Sequence, residues 1–587
     1  MEYETSYDTG LKPFNHDKNR GKWASSKDFF FACAGHAFKA DAIMIMPIIV
    51  FEDVGIFALI PYFVTLAVCV VPIVFLQSFL GQFSSTGFIS VFRISPLFKG
   101  IGYVSLLVNF LTLTYYSIFS AIPLFYFFHS LRPTIPWSCE ASAGWAENST
   151  HRISICNHEA DNNSTLLITI PSVDFFRNHL DIPSFGREVN DNSFSLELMV
   201  CTCIIWGAVT CVILNSTEVI GRLIRYSFLV VVGIMSICLI RFAFLPGAIE
   251  GIWQFVFPEA YRIYWDTWIF LPSMALATLG PGWGSILTMA SFNNFKTNIF
   301  TYSWVLCLAQ LGLMAGIAFL SIFIKCFMES IRPESRMYLQ FHHSQWLEFL
   351  SIPTGLTFME LPHFWSLLFF SMWILGSLNI LIIQLLSLLT SVFDEFEELR
   401  EMKRNIIFGA VGILTLTSIL FCSNHGVYFF SLLSKYAFAT QTVLNLLLLL
   451  VVLWIYGRER FQRDLNFMTS RVYSTWMVNI VRFVAPLFLL SGLFIALILT
   501  LEFDHSPTSY GMALFALGTL IFLFSWCLIP GYCIFKIKQT TGIIGMRLRR
   551  CIRPTDWYPA DPVYKQRYEE NFNSTDISHQ LTTETME

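Results

Sequence analysis

Charge is what this chain has least of. Only 13% of its 587 residues are charged, about half of what a soluble surface carries. That excludes an ordinary water-soluble globule of this length. The net charge of −4 leaves no basic footprint, so nucleic acid is not an expected partner. No His, Cys or carboxylate spacing suits a metal, and no glycine-rich loop suits a phosphate. No nucleophile and base share a face, so an enzyme is not expected. The 14 cysteines are mostly scattered through apolar stretches, where they act as small hydrophobes. The segment from Met1 to Lys22 has no apolar core, so no cleavable signal peptide is expected there.

What abounds is apolar: 55% of residues are hydrophobic, with 59 Phe. About twelve stretches are long enough to cross a hydrocarbon core as helices. Their approximate limits are 27–50, 55–79, 100–129, 196–214, 222–243, 262–290, 300–325, 365–393, 404–422, 427–456, 477–500 and 512–536. An even number puts both termini on one side. Lys18, Arg20 and Lys22 precede span one, and Arg93 and Lys99 lie between spans two and three. Lys536, Lys538, Arg547, Arg549 and Arg550 follow span twelve. All fall on one face, which the positive-inside bias makes cytoplasmic. The expected division is a cytoplasmic segment 1–26, a twelve-span body 27–536 and a cytoplasmic tail 537–587.

A long loop near 131–195 then lies outside. It holds three glycan acceptor sequons, at Asn148, Asn162 and Asn163. Cys139 and Cys156 in the same loop could pair in an oxidising compartment. Sequons at Asn215 and Asn573 fall on the cytoplasmic face and should stay bare.

The most informative stretch is Asp28 to Tyr62, DFFFACAGHAFKADAIMIMPIIVFEDVGIFALIPY. It is mostly apolar, yet Lys39 and Asp41 sit in its middle and Pro47 follows. A charge at that depth costs roughly 2.5–3.5 kcal/mol on insertion scales. Such residues face a cavity or a partner, so the pair marks a candidate functional site. The plainer alternative is a Lys–Asp pair that neutralises itself inside a bundle.

This stretch is similar to the first span and the start of the second in the neurotransmitter:sodium symporter family. It aligns without a gap, and Asp28, Phe29, Cys33, Gly35, Ala37, Pro47, Gly55, Leu59, Ile60, Pro61 and Tyr62 match. Other marks follow in order. They are PIVFLQSFLGQFSSTG with Gln77 where the family has Glu, ISPLFKGIGY, Tyr115-Tyr116, LPGA, ASFNNF, DEF at Asp394–Phe396, WIYGRERF and RPTDWYP. The resemblance implies an all-α polytopic membrane protein of about twelve helices, with inverted repeats of about five and spans one and six broken at the solute site. Span six keeps a breaker in Gly280-Pro281-Gly282, followed by Gly284.

The resemblance also implies roles for residues. Lys39, Tyr116, Ala277 and Gly280 would line the solute, with the Tyr116 hydroxyl holding a carboxylate. One sodium position falls on Ala42, Thr278 and Gln310 with carbonyl help near Ala37, and the other on Asn379 and Ile380. The chloride position keeps Tyr62 but has Met274 where the family has Gln. Sodium prefers several oxygen ligands, and Ala42, Asn379 and Ile380 lack those the family uses. The family ions, sodium and chloride, are thus implied by resemblance while their ligands are largely replaced, and no other cofactor is expected. The outer gate pair is lost as Ile45 and Ser434, whereas the inner gate pair is kept as Arg20 and Asp394. The expected function is a plasma-membrane carrier of a small amino acid or neurotransmitter-like solute. The alternative is a non-transporting sensor or assembly partner on the same fold, with a channel as a third reading.

Overall fold

The structure is a computed structural model that describes residues 15–17, 19–38, 55–142, 152–154, 156, 167–180, 194–257, 275–276, 279–280, 282–331, 349, 352–471, 473–502 and 509–571. It is built almost wholly of helices. In hydrocarbon every backbone N–H and C=O must be satisfied within its own segment, and a helix does this. Among the described residues, 10 helices are long and apolar enough to cross a membrane. They correspond in order to spans two to five and seven to twelve. Spans one and six run partly over residues outside those described.

Local sequence sets where the helices start and bend. Ser25 caps the first helix, Ser26–His36, and Asp28 returns the bond to the Ser25 N–H at 3.0 Å. This reciprocal box satisfies donors that a helix start leaves open. Asp28 also pairs with Arg225 of span five at 3.0 Å, which fixes the entry of span one. That helix stops at His36, with Ala37 as its C-cap. Spans two and ten each contain a π-helical turn, Leu66–Val70 and Val451–Gly457. Such turns interrupt regular packing and gather at functional sites.

Spans three and eight form the heart of the bundle. Span eight, Pro362–Glu395, buries residues on all sides, from Ser366 to Asp394. Span three is two helices, Gly100–Tyr116 and Ile118–Ser130, joined at Ser117. Spans four, five and twelve instead turn Val200, Leu229, Ile240, Leu520 and Phe524 outward, as lipid-facing helices do. Outside the spans, Arg152–Ser154 and Leu167–Thr169 form a short parallel strand pair. Cys139 and Cys156 are joined by a disulfide with Cα atoms 5.4 Å apart.

The stretch 555–568 after span twelve folds back against the bundle. Trp557 stacks on Phe83 of span two, with centroids 5.2 Å apart. Asp464, fully buried, accepts from Trp557 Nε1 at 3.2 Å and from the Tyr568 hydroxyl at 2.9 Å. It also accepts from the Tyr456 hydroxyl. Thr555 N–H donates to the Arg93 carbonyl at 2.9 Å, and Asp556 lies 3.9 Å from the Arg93 guanidinium. The tail is therefore tied to both span ten and the loop between spans two and three.

Candidate functional site

Span six is interrupted where the glycines stand. Gly280, Gly282 and Gly284 have φ of +91°, +72° and +86°, a region other residues enter only at a cost. The helix resumes as Ser285–Ala290. A Cβ on Gly282 would overlap Asn109 Oδ1 and Gln384 Nε2, and one on Gly280 would overlap the His36 ring. The break is thus pressed directly against spans one, three and eight.

The opened backbone is met by neutral side chains. Asn109 Nδ2 donates to the Trp283 carbonyl at 2.7 Å, and its Oδ1 accepts from the Trp283 N–H at 3.2 Å. Gln441 Nε2 donates to the Gly280 carbonyl at 3.1 Å. The orientations then follow by elimination. Asn109 Nδ2 also donates to the Ser105 carbonyl, at 2.7 Å, so Oδ1 must be the atom that accepts from Gln384 Nε2. Gln384 Oε1 therefore accepts, from Ser285 Oγ at 2.8 Å and from His36 Nε2 at 2.7 Å. His36 carries its proton on Nε2. Beyond Trp283 the chain of bonds continues. Trp283 Nε1 and Gln77 Nε2 both donate to Asn445 Oδ1 at 2.8 Å. Spans one, two, three, six, eight and ten all contribute, and every member is buried. A polar network at this depth is stabilising only when its members are satisfied.

One end of the bundle, the end that holds the N-terminal segment, is built from charge. Arg20 Nη2 lies 3.2 Å from Asp394 Oδ2. Arg20 also donates to the Ser85 carbonyl, and Asp394 accepts from the Gly87 N–H at 2.7 Å. Phe292 lies under the guanidinium, 4.8 Å from its centre. Asp17 and Lys403 pair at 2.7 Å, and Lys99 pairs with Glu395. Burial alone would push the Asp17 carboxyl up. The hydrogen bond and charge of Lys403 outweigh it and hold the group below its ordinary range.

The remaining positions singled out from the sequence are dispersed. Lys39, Asp41, Ala42, Ile45, Met274, Ala277, Thr278 and the sequons Asn148, Asn162 and Asn163 lie outside the described residues. Tyr116 is buried, with its ring 5.2 Å from Phe119. Tyr62 points its hydroxyl at the Met314 thioether, 3.9 Å away. Asn379 packs beside Gly35 of span one, with Ile380 buried next to it. Among the described residues, Asn379 Nδ2 and Gln310 Nε2 are buried donors with no hydrogen-bond partner. Ser434 is buried. His36, Asn109, Gln384 and Asn445 had not been picked out.

The comparisons with known proteins agree with this architecture. The model of the Sodium:neurotransmitter symporter family matches residues 20–540. The chain is 27% identical to "Sodium- and chloride-dependent glycine transporter 1" of Xenopus laevis, over 92% of this chain and 88% of that protein. It is 25% identical to the human "Sodium- and chloride-dependent neutral and basic amino acid transporter B(0+)", over 93% of this chain and 90% of that protein. The chain belongs to the sodium:neurotransmitter symporter family. It is a multi-pass membrane protein of a transporter family, and not an enzyme. As a symporter-family member it shares the fold of roughly twelve helices, with its break in span six clamped by its own amides.

Proposed function

We propose that this protein is a plasma-membrane secondary transporter of a small amino acid or neurotransmitter-like solute, with most sodium and chloride ligands replaced. The observation that carries the reading is the buried Arg20–Asp394 pair at 3.2 Å, sealing the inner end of a bundle whose sixth span is broken. A closed inner end below a midplane break is one state of an alternating-access carrier. The printed names of both relatives describe amino acid carriage, which supports the solute class. Both termini lie in the cytoplasm, with segments 1–26 and 537–587 flanking the 27–536 body and the loop near 131–195 outside. Lys39, Tyr116, Ala277 and Gly280 line the solute, and Arg20 with Asp394 form the inner gate.

The replaced ion positions rest on chemistry. A cation needs several oxygen acceptors, whereas Asn379 supplies a single neutral amide and Ile380 beside it supplies none. An anion needs donors, and Met274 supplies none where the family has Gln. Lys39 appears in span one where these oxygens are missing. Its ammonium is a tethered cation that does part of the work of sodium, meeting a substrate carboxylate or pairing with Asp41. The test is uptake of labelled amino acids and amines, with and without sodium and across pH, by wild type and Lys39→Met. Sodium-free uptake that Lys39→Met abolishes is expected. Sodium-dependent wild-type uptake, or an unaltered Lys39→Met profile, sinks the tethered-cation role. The second reading, a non-transporting sensor, is favoured by the self-satisfied break. It wins if wild type binds a panel member saturably yet moves none.

A further inference from the structure

After span twelve the chain doubles back. Gly542 sits at the turn with φ of +118°, and the helix Ile544–Ile552 follows. One arc of that helix carries Arg547, Arg549 and Arg550. The other carries Ile544, Leu548, Cys551 and Ile552, the spacing of an amphipathic helix. The far end of the apolar arc is in use. Cys551 is buried with Thr540 Oγ1 at 3.1 Å, and Ser95 Oγ donates to the Ile552 carbonyl at 3.0 Å. At the near end Ile543 is 75% exposed and Ile544 74%, with Leu548 exposed on the same arc and Met546 exposed among the arginines.

Two observations say what covers that end. Exposed Ile534 and Phe535 near the end of span twelve are followed nine residues later by exposed Ile543 and Ile544, so the apolar exposure of the lipid-facing span carries on past the turn. The stretch from Lys536 to Arg553 carries Lys536, Lys538, Arg547, Arg549, Arg550 and Arg553, and no Asp or Glu. The first acid beyond it, Asp556, is already beside Arg93. Apolar side chains flanked by arginines, set level with the end of a membrane span, match an interfacial helix.

We propose that Ile544–Ile552 lies in the cytoplasmic leaflet and binds anionic phospholipid headgroups through Arg547, Arg549 and Arg550. This rests on the cytoplasmic orientation of the tail proposed above. Each basic residue near an anionic leaflet contributes about fivefold in binding, and salt screens it.

The test is hydrogen–deuterium exchange of residues 543–553 in the full-length protein. Nanodiscs of phosphatidylcholine are compared with nanodiscs rich in phosphatidylserine. Exchange is expected to slow by about tenfold or more in the anionic discs, and the difference should shrink at high salt. The triple variant R547Q/R549Q/R550Q should lose the difference, and the triple Arg→Lys variant should keep it. Equal exchange of wild type in the two discs overturns the proposal, even where the glutamine variant fails to fold. So does protection that arises only on adding a cytosolic protein fraction. Both faces of a nanodisc have the same composition, so the readout does not depend on which face is cytoplasmic. A glycosidase mobility shift on cell-surface protein reads the orientation by itself.

Discussion

At the end of the bundle proposed to face the cytoplasm, Arg20, Asp394, Asp17, Lys403, Lys99 and Glu395 meet as ions. Ten residues back along span eight, about 15 Å by helix rise, Gln384 meets His36, Asn109 and Ser285 without a formal ion pair. The two layers solve the same problem, polar groups buried in an apolar bundle, at different depths. Near the aqueous face a charged pair can separate into water, so it can act as a latch. At mid-depth a separated charge is costly, and neutral amides that both donate and accept can hold a broken helix without that penalty. On the proposed function, the charged layer is the one that opens and the central one stays made.

The contrast breaks most severely at Gly282. Gly282→Ala forces a methyl into two amides at a φ of +72°. Overpacking, left-handed strain and the parting of the buried Asn109–Gln384 bond together cost roughly 3–8 kcal/mol. We expect collapse of detergent-solubilised thermal stability, while Gly233→Ala, with nothing within 4 Å, stays near wild type. A wild-type melting temperature for Gly282→Ala would mean that the clamp is loose.

Breaking the latch should act differently. Asp394→Asn strands Arg20, and losing one partner of a buried pair costs about 3–5 kcal/mol. The closed inner end should bear that loss, so labelling of a cysteine placed in the inner vestibule should rise. Arg20→Gln combined with Asp394→Asn should recover part of the stability. Unchanged labelling in both single variants, Asp394→Asn and Arg20→Ala, would remove the gate role.

The smallest effect is on pH. Burial, then the cations Arg20, Arg93, Arg400 and Lys565, lower the His16 pKa from 6.5 to about 3. The docked imidazole is neutral, and the released one takes up a proton below its ordinary value. Docking of the N-terminal segment is therefore at full strength above about pH 6.5 and weakens as pH falls toward 3. Asp17, held below its range by Lys403, weakens in the same direction at lower pH. Limited proteolysis around Lys22 should quicken between about pH 6.5 and 5, and His16→Gln should flatten the profile. A flat wild-type profile would show that His16 does not report docking.

Much of this was legible in the chain itself. Apolar length placed the spans, and helices two to five and seven to twelve fall close to their expected limits, because a bilayer imposes one length on all of them. Gly280-Pro281-Gly282 announced a break, and Arg20 and Asp394 were paired by the strings around them. The amide clamp was not legible. Asn109 and Gln384 are 275 residues apart, and each stands as a lone polar residue in an apolar run. The signal that was available is energetic. An amide buried without a partner costs about 1–3 kcal/mol, so each of these isolated residues requires a mate on another span. The docked tail was hidden for a different reason. RPTDWYP marks a relationship, but no periodicity tells where a loop-like string comes to rest.

The tail has a consequence for how the protein is made. Asp464 leaves the ribosome 93 residues before Trp557 and 104 before Tyr568. Until those rings arrive, a carboxylate destined for full burial has only nearby groups such as Tyr456 to meet it. The site of Asp464 is thus closed by residues made well after it. A copy shortened before Trp557 would leave that buried carboxylate without two of its three ring donors, Tyr456 alone remaining.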